Sequence, residues 1–424
     1  MKYHWRHLVK PEILFLIGAV MANFPYLLWR FGYPVPSYSF SISYKPLYLW
    51  ILGYIAFCLG TGHVSFCLCR KVRKYGGLAP FRIHQGTFRF CVLITIVAVI
   101  IQIIFACLLY GVLPILAYFS GYDVRSLNIA QQASGFGQLG LLTLTLFILN
   151  GLILIGIVSN FEAKGWNRKI LWMAVILAVF GSLFSGKSQG LFILICVLVT
   201  GGALARVNPI NLFARKLGFR QFSKRMTAVV MFGVLFLLVL LHGFTRSIRS
   251  DTRKEFKVRY AFNSVVSYLS WPLINTENQV AISGFSGSQF EIRGLLTGLL
   301  PYKMRSHFAE HVPVPMPHLE RTSPSGFLAA PHWYLGLWGM MAFLFVLGVV
   351  CKCIYIKSNK SLFCLLAYSQ IAWTLVAAHS YNHFLNLLFI PAPLIAFFII
   401  TKIVRSKRVT SKALAYSPGR FVKT

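Results

Sequence analysis

Along the chain, long uninterrupted apolar runs alternate with short polar stretches. Ten runs have the length or apolarity of a membrane span, near 11–29, 47–68, 90–110, 139–159, 170–184, 190–205, 226–243, 333–351, 361–379 and 385–401. A helix of about 20 apolar residues crosses the hydrocarbon core, because each residue advances about 1.5 Å. The fifth and sixth runs are short, and Ser185-Gly186-Lys187-Ser188-Gln189-Gly190 between them predicts a tight hairpin. Only the interval from 244 to 331 is too long to be a simple connection. The pattern predicts an all-α integral membrane protein of about ten transmembrane helices. Helices one to seven fall within 1–243, a large loop with short amphipathic helices within 244–331, helices eight to ten within 332–403, and a basic tail within 404–424.

Composition narrows the class. Of 424 residues, 57% are hydrophobic and 12% charged, about half the charge density of a soluble domain. An ordinary soluble enzyme is excluded. The charges are lopsided, with 42 Lys+Arg against 9 Asp+Glu and a net of +33. A nucleic-acid binder would gather its cations on one soluble face, whereas these sit in short blocks between apolar runs, so no nucleic-acid partner is expected. The blocks instead report orientation, since short cytoplasmic loops are enriched in Lys and Arg. The termini and alternate loops hold twenty-eight of the 42, and the short loops on the other side hold only Arg30, Lys45, Arg125 and Lys187. Both termini are therefore expected inside, with the long loop outside. Val20-Met21-Ala22 resembles a signal-peptidase site, but the apolar run continues to Trp29, so the first helix is expected to be retained.

The outer loop carries the remaining ten basic residues and six of the nine acids. Continued as a helix, Arg246, Arg249, Arg253 and Lys257 recur at intervals of three, four and four and share one face. Guanidinium groups in such a row suit a phosphate or pyrophosphate, whose oxygens they bind in pairs; anionic lipid headgroups are the alternative. Further on, Arg293 and Arg305 bracket an amphipathic or re-entrant segment ending at Pro301. His307, Glu310 and His311 match an H-x-x-E-H zinc pattern, but Pro313, Pro315 and Pro317 stop any helix there, so neither metal nor cofactor is expected. Candidates for a general base are His332, Glu291, Asp251 and His307.

The whole arrangement resembles the Wzy-type O-antigen polymerases. The likeness rests on the helix number with both ends inside, the Ser185 to Gly190 turn, the large loop after the next helix pair, the Arg293, Pro301, Arg305 segment, and Gly336-Leu337-Trp338-Gly339 entering the next helix. Position 187 is Lys where the family often has Arg, which keeps the charge but loses the bidentate fork. The resemblance implies a metal-independent membrane glycosyltransferase of the bacterial inner membrane, working at its periplasmic face. It would transfer a growing glycan from undecaprenyl pyrophosphate to the non-reducing-end sugar of another lipid-linked repeat unit. Pyrophosphate contacts are then expected from Arg246, Arg249, Arg253, Arg293, Arg305 and Lys187. Partners would be lipid-linked oligosaccharides and membrane lipids, with the chain-length regulator and flippase of the same pathway. Two alternatives stay open: an O-antigen ligase, which often has a histidine near the end of its large loop as His332 is here, and a flippase or transporter of lipid-linked oligosaccharides. The absence of internal repeats weighs against transport.

Overall fold

The computed structural model describes residues 4–32, 43–72, 83–110, 138–159, 161, 165–184, 188–205, 258–286, 292–296, 299–300, 327–379, 384, 386–387 and 389–404. Among these residues regular structure is helical, with no strand. In chain order the helices are α1 (His4–Leu8), α2 (Pro11–Arg30), α3 (Lys45–Val72), α4 (Gln85–Tyr110), α5 (Gln138–Val158), α6 (Gly165–Phe184) and α7 (Ser188–Ala205), followed by α8 (Val258–Ser283), α9 (Ile292–Leu296), α10 (Ala329–Lys357), α11 (Leu362–Val376) and α12 (Pro391–Val404). Each predicted span overlaps one of these helices, the last beginning at Pro391 rather than at 385, except 226–243, which lies outside the described residues. Among the described residues, five helices, α2 to α5 and α10, are long and apolar enough to cross a membrane. The described residues thus form an all-helical assembly, consistent with an all-α membrane protein.

Local chemistry sets the helix starts. Pro11 occupies the first position of α2, where its missing N–H is no loss, and Glu12 follows in the first turn. Ser361 caps α11 by accepting the Cys364 amide. His84 does the same for α4, its Nδ1 accepting the Thr87 amide at 3.2 Å.

Helix ends gather at two levels. At one, Lys352 Nζ reaches both Glu12 carboxylate oxygens at 2.9 and 3.2 Å. Beside this pair Tyr355 Oη donates to Arg6 O at 3.1 Å, and Tyr368 Oη to Val9 O at 2.6 Å. The His84 amide binds Val404 O at the same end. This Glu12 end collects the starts of α2, α4 and α11 and the ends of α10 and α12. At the opposite, Arg30 end, the last turn of α2 meets the start of α3, and the Leu337 amide donates to Ser286 O at 2.9 Å.

Glycine governs the tightest seam, between α3 and α10. A Cβ on Gly60 would run into Phe345 O, and one on Gly348 into Phe57 O. The two backbones touch because neither position has a side chain, the small-residue contact typical of membrane helices.

The first part of α10 is not a span. Gly336 has φ 68° and ψ −177°, a conformation open essentially to glycine alone, and it divides the helix into 329–335 and 337–357. Leu328 Cδ2 and Leu344 Cδ1 lie 3.4 and 2.9 Å from the Cβ position of the same residue, Gly53. A straight helix would hold two residues sixteen apart at about 24 Å. The chain therefore folds back at Gly336, and 327–335 lies inside the bundle. Phe327 stands at its foot, 5.5 Å from the ring of Phe15 and 6.1 Å from that of Phe384. The sequence places a span at 333–351 and reads Gly336 as a packing residue; the structure makes Gly336 an elbow.

The interval 244–331 also departs from expectation. Its main described element, α8, is a 26-residue helix rather than a short amphipathic one. It packs on α2, α3 and α10, burying Val266, Leu269, Leu273 and Val280. The Glu291 to Pro301 stretch shows only the five residues of α9, packed on α10.

Candidate functional site

Most of α8 is apolar enough to pack, but its second half carries Asn275, Thr276, Glu277, Asn278 and Gln279 in succession. These polar side chains sort to different sides of the helix, because neighbours in sequence are about 100° apart. Glu277 and Gln279 build two separate constellations.

Glu277 faces the Arg30 end. Ser43 Oγ donates to its Oε1 at 2.5 Å, which orients the carboxylate. The other oxygen, Oε2, is out of contact with solvent and has no hydrogen-bond partner among the described residues. A desolvated carboxylate oxygen with no donor is costly, and such a group in an apolar bundle is a functional candidate. Around it, Arg30 Nη2 donates to Tyr44 Oη at 2.6 Å, with its guanidinium carbon 5.6 Å from the Tyr44 ring. Tyr26, buried, hydrogen-bonds Tyr44, and the charges of both Arg30 and Glu277 reach its hydroxyl. The Tyr26 and Tyr44 rings meet edge to face at 6.1 Å, and Trp29 lies 5.9 Å from Tyr26. The cluster thus supplies one fixed proton acceptor, one exposed cation and an aromatic surface.

Gln279 faces α10. Its Nε2 donates to Ala329 O at 2.8 Å and lies 3.0 Å from His332 Nδ1. His332 Nε2 lies 3.0 Å from Phe285 O, which can only accept. The imidazole proton is therefore on Nε2, and Nδ1 takes the second amide hydrogen of Gln279. His332 is wholly buried with both ring nitrogens used by the protein. It fastens the 329–335 segment to α8 just below the elbow.

Of the residues expected from the sequence, His332 alone is fully described, and the structure gives it a holding geometry. Arg293 lies in α9, with its side chain outside the described residues. Glu291, Asp251, His307, Arg246, Arg249, Arg253, Arg305 and Lys187 lie outside the described residues, as do Glu310 and His311. On either side of Lys187 in sequence, α6 and α7 approach closely, since a Cβ on Gly190 would come within 2.8 Å of Ser182 Oγ. Sequence reasoning missed Glu277, Ser43, Tyr44, Arg30 and Gln279. One signal was present: Glu277 is the single acid within the apolar stretch that forms α8.

Replacing His332 with Ala strands Phe285 O and one of the two Gln279 amide hydrogens, the other staying on Ala329 O, at a cost of about 1–3 kcal/mol for unsatisfied buried groups. Gln279→Leu is expected to cost a similar amount, and the double variant far less than the sum. Thermal unfolding of the four proteins measures this coupling. A His332→Ala protein as stable as wild type but inactive would make His332 a reacting group instead. No family model, curated protein or solved structure matches the chain.

Proposed function

We propose that this protein is a repeat-unit polymerase of the inner membrane, transferring a glycan from a polyprenyl pyrophosphate to a sugar hydroxyl of a second lipid-linked unit. The observation that carries the reading is the Glu277 carboxylate, desolvated, oriented by Ser43 and unpartnered at Oε2. A sugar hydroxyl is the donor that such an oxygen lacks.

In this reading Glu277 Oε2 takes the proton as the acceptor oxygen attacks the donor's anomeric carbon. The anomeric C–O bond breaks, and the bonding pair leaves on the pyrophosphate. Cations must absorb that charge. Arg30 stands at the same end of the bundle, and Arg246, Arg249, Arg253, Arg293, Arg305 and Lys187 are proposed to join it. The ring faces of Trp29 and Tyr44, backed by the buried Tyr26, suit the apolar faces of sugar rings. With the termini in the cytoplasm, as the basic loops predict, the Arg30 end opens on the periplasmic side.

The test is reconstitution. Purified protein given lipid-linked repeat units and no nucleotide sugar should build longer glycans, insensitive to EDTA, and a deletion strain should carry lipid A core capped by single units. Full-length glycan stranded on the polyprenyl carrier in that strain would assign a ligase instead, and translocation without extension a flippase.

A further inference from the structure

A second polar site lies at the Glu12 end, between α4 and α6. Arg89 Nη2 donates to Asn167 Oδ1 at 2.7 Å, fixing the two side chains against each other. Asn167 is wholly buried, yet its Nδ2 has no acceptor. Arg89 Nε is also buried, also without one. Two adjacent side chains, tied together, thus present buried donors with no acceptor among the described residues. One of these donors belongs to a permanent cation, and the acids among the described residues, Glu12 and Glu277, are engaged elsewhere by Lys352 and Ser43.

The surroundings favour an anion. Asn167 is the third residue of the 20-residue α6, whose first amides have no partner within the helix. Arg168 and Lys169 follow it, exposed. Trp166, 61% exposed, sits beside them, as tryptophan does at a membrane interface. Phe88, the residue before Arg89, packs edge to face on Phe161 with ring centroids at 4.7 Å. In the sequence, Arg89, Arg168 and Lys169 serve only as orientation signals; the orphaned donor sets Arg89 apart from the other two.

We infer that Arg89 and Asn167 bind a phosphate group, through oxygens that accept from Arg89 Nε and Asn167 Nδ2. The group is either the headgroup phosphate of an anionic lipid in the adjoining leaflet or a free phosphate. The site is independent of the Glu277 cluster and of any activity assigned to it.

Thermal unfolding of the full-length protein in a neutral maltoside detergent tests this. Phosphatidylglycerol, phosphatidylcholine and inorganic phosphate are added separately. A stabilising ligand is expected to raise the midpoint by about 3 °C or more. A rise with phosphatidylglycerol but not inorganic phosphate identifies a lipid headgroup, and a rise with inorganic phosphate a free anion. Arg89→Gln and Asn167→Leu should abolish the rise. Arg89→Lys, which keeps the charge and loses the Nε donor, should weaken binding about tenfold, and keeps the test open if a harsher variant fails to fold. An equal rise in wild type and variants, or none with any of the three probes, overturns the proposal. Glu162, three residues before α6 in sequence, lies outside the described residues, and a Glu162→Gln protein that loses as much stability as Arg89→Gln also overturns the proposal, because the acceptor would then belong to the chain itself.

Discussion

Glu277→Gln is expected to slow glycan extension by about 10²-fold or more, the usual contribution of a general base, while leaving a folded protein. The substitution is chosen for its shape. Glutamine keeps an oxygen to accept from Ser43 Oγ, so the 2.5 Å contact that orients the side chain survives in kind. What it loses is the ability to take a proton at the second position. Extension measured with purified protein and lipid-linked units, alongside thermal unfolding, separates lost chemistry from lost structure. Wild-type extension by Glu277→Gln would remove the base from the mechanism. Ser43→Ala gives an intermediate result in this reading, since it frees the carboxylate to rotate without removing it. Arg30 is distinguished by its readout: a phosphate contact is expected to alter the response to the pyrophosphate donor, whereas a base alters the chemical step.

The largest structural effect is expected at Gly60. An added methyl there would occupy the space of Phe345 O, and backbone cannot move aside as a side chain does. Gly60→Ala should force α3 and α10 apart and lower stability by about 3 kcal/mol, the upper range for overpacking a filled interface. Gly348→Ala meets Phe57 O from the other helix, and the double variant should cost less than the sum, because one separation relieves both clashes. Gly62 is the control. It lies two residues away on the same helix, and nothing stands within 4 Å of its Cβ position, so Gly62→Ala should be neutral or slightly stabilising. Thermal midpoints for the four proteins test the seam, and equal effects at Gly60 and Gly62 would contradict it. A separated seam also releases the elbow, since Leu328 and Leu344 pack on the same stretch of α3.

The helices themselves are legible in the sequence because a membrane span needs only length and apolarity, both local properties. The run at 11–29 is α2, and the run at 190–205 falls within α7. The elbow in α10 is not legible. Gly336 lies in an apolar run that reads as continuous helix, and its conformation follows from where the flanking segments are held: Leu328 against Gly53 below, Leu337 against Ser286 above. The role of His332 depends on the same folding back. As a lone histidine before a span it reads as a base; only the approach of Gln279, 53 residues earlier, shows both nitrogens committed.

By itself, the sequence determines apolar runs long enough to span a membrane, the place of the helices that form on them, and an orientation signal written in lysine and arginine. These follow from burial and transfer costs summed over neighbouring residues. The tertiary structure alone decides which polar groups meet. Ser43 and Glu277 are 234 residues apart, and Arg89 and Asn167 are 78 apart. A carboxylate oxygen or an amide nitrogen becomes a candidate site only when packing removes its water and supplies no partner, and no local pattern of residues records that event.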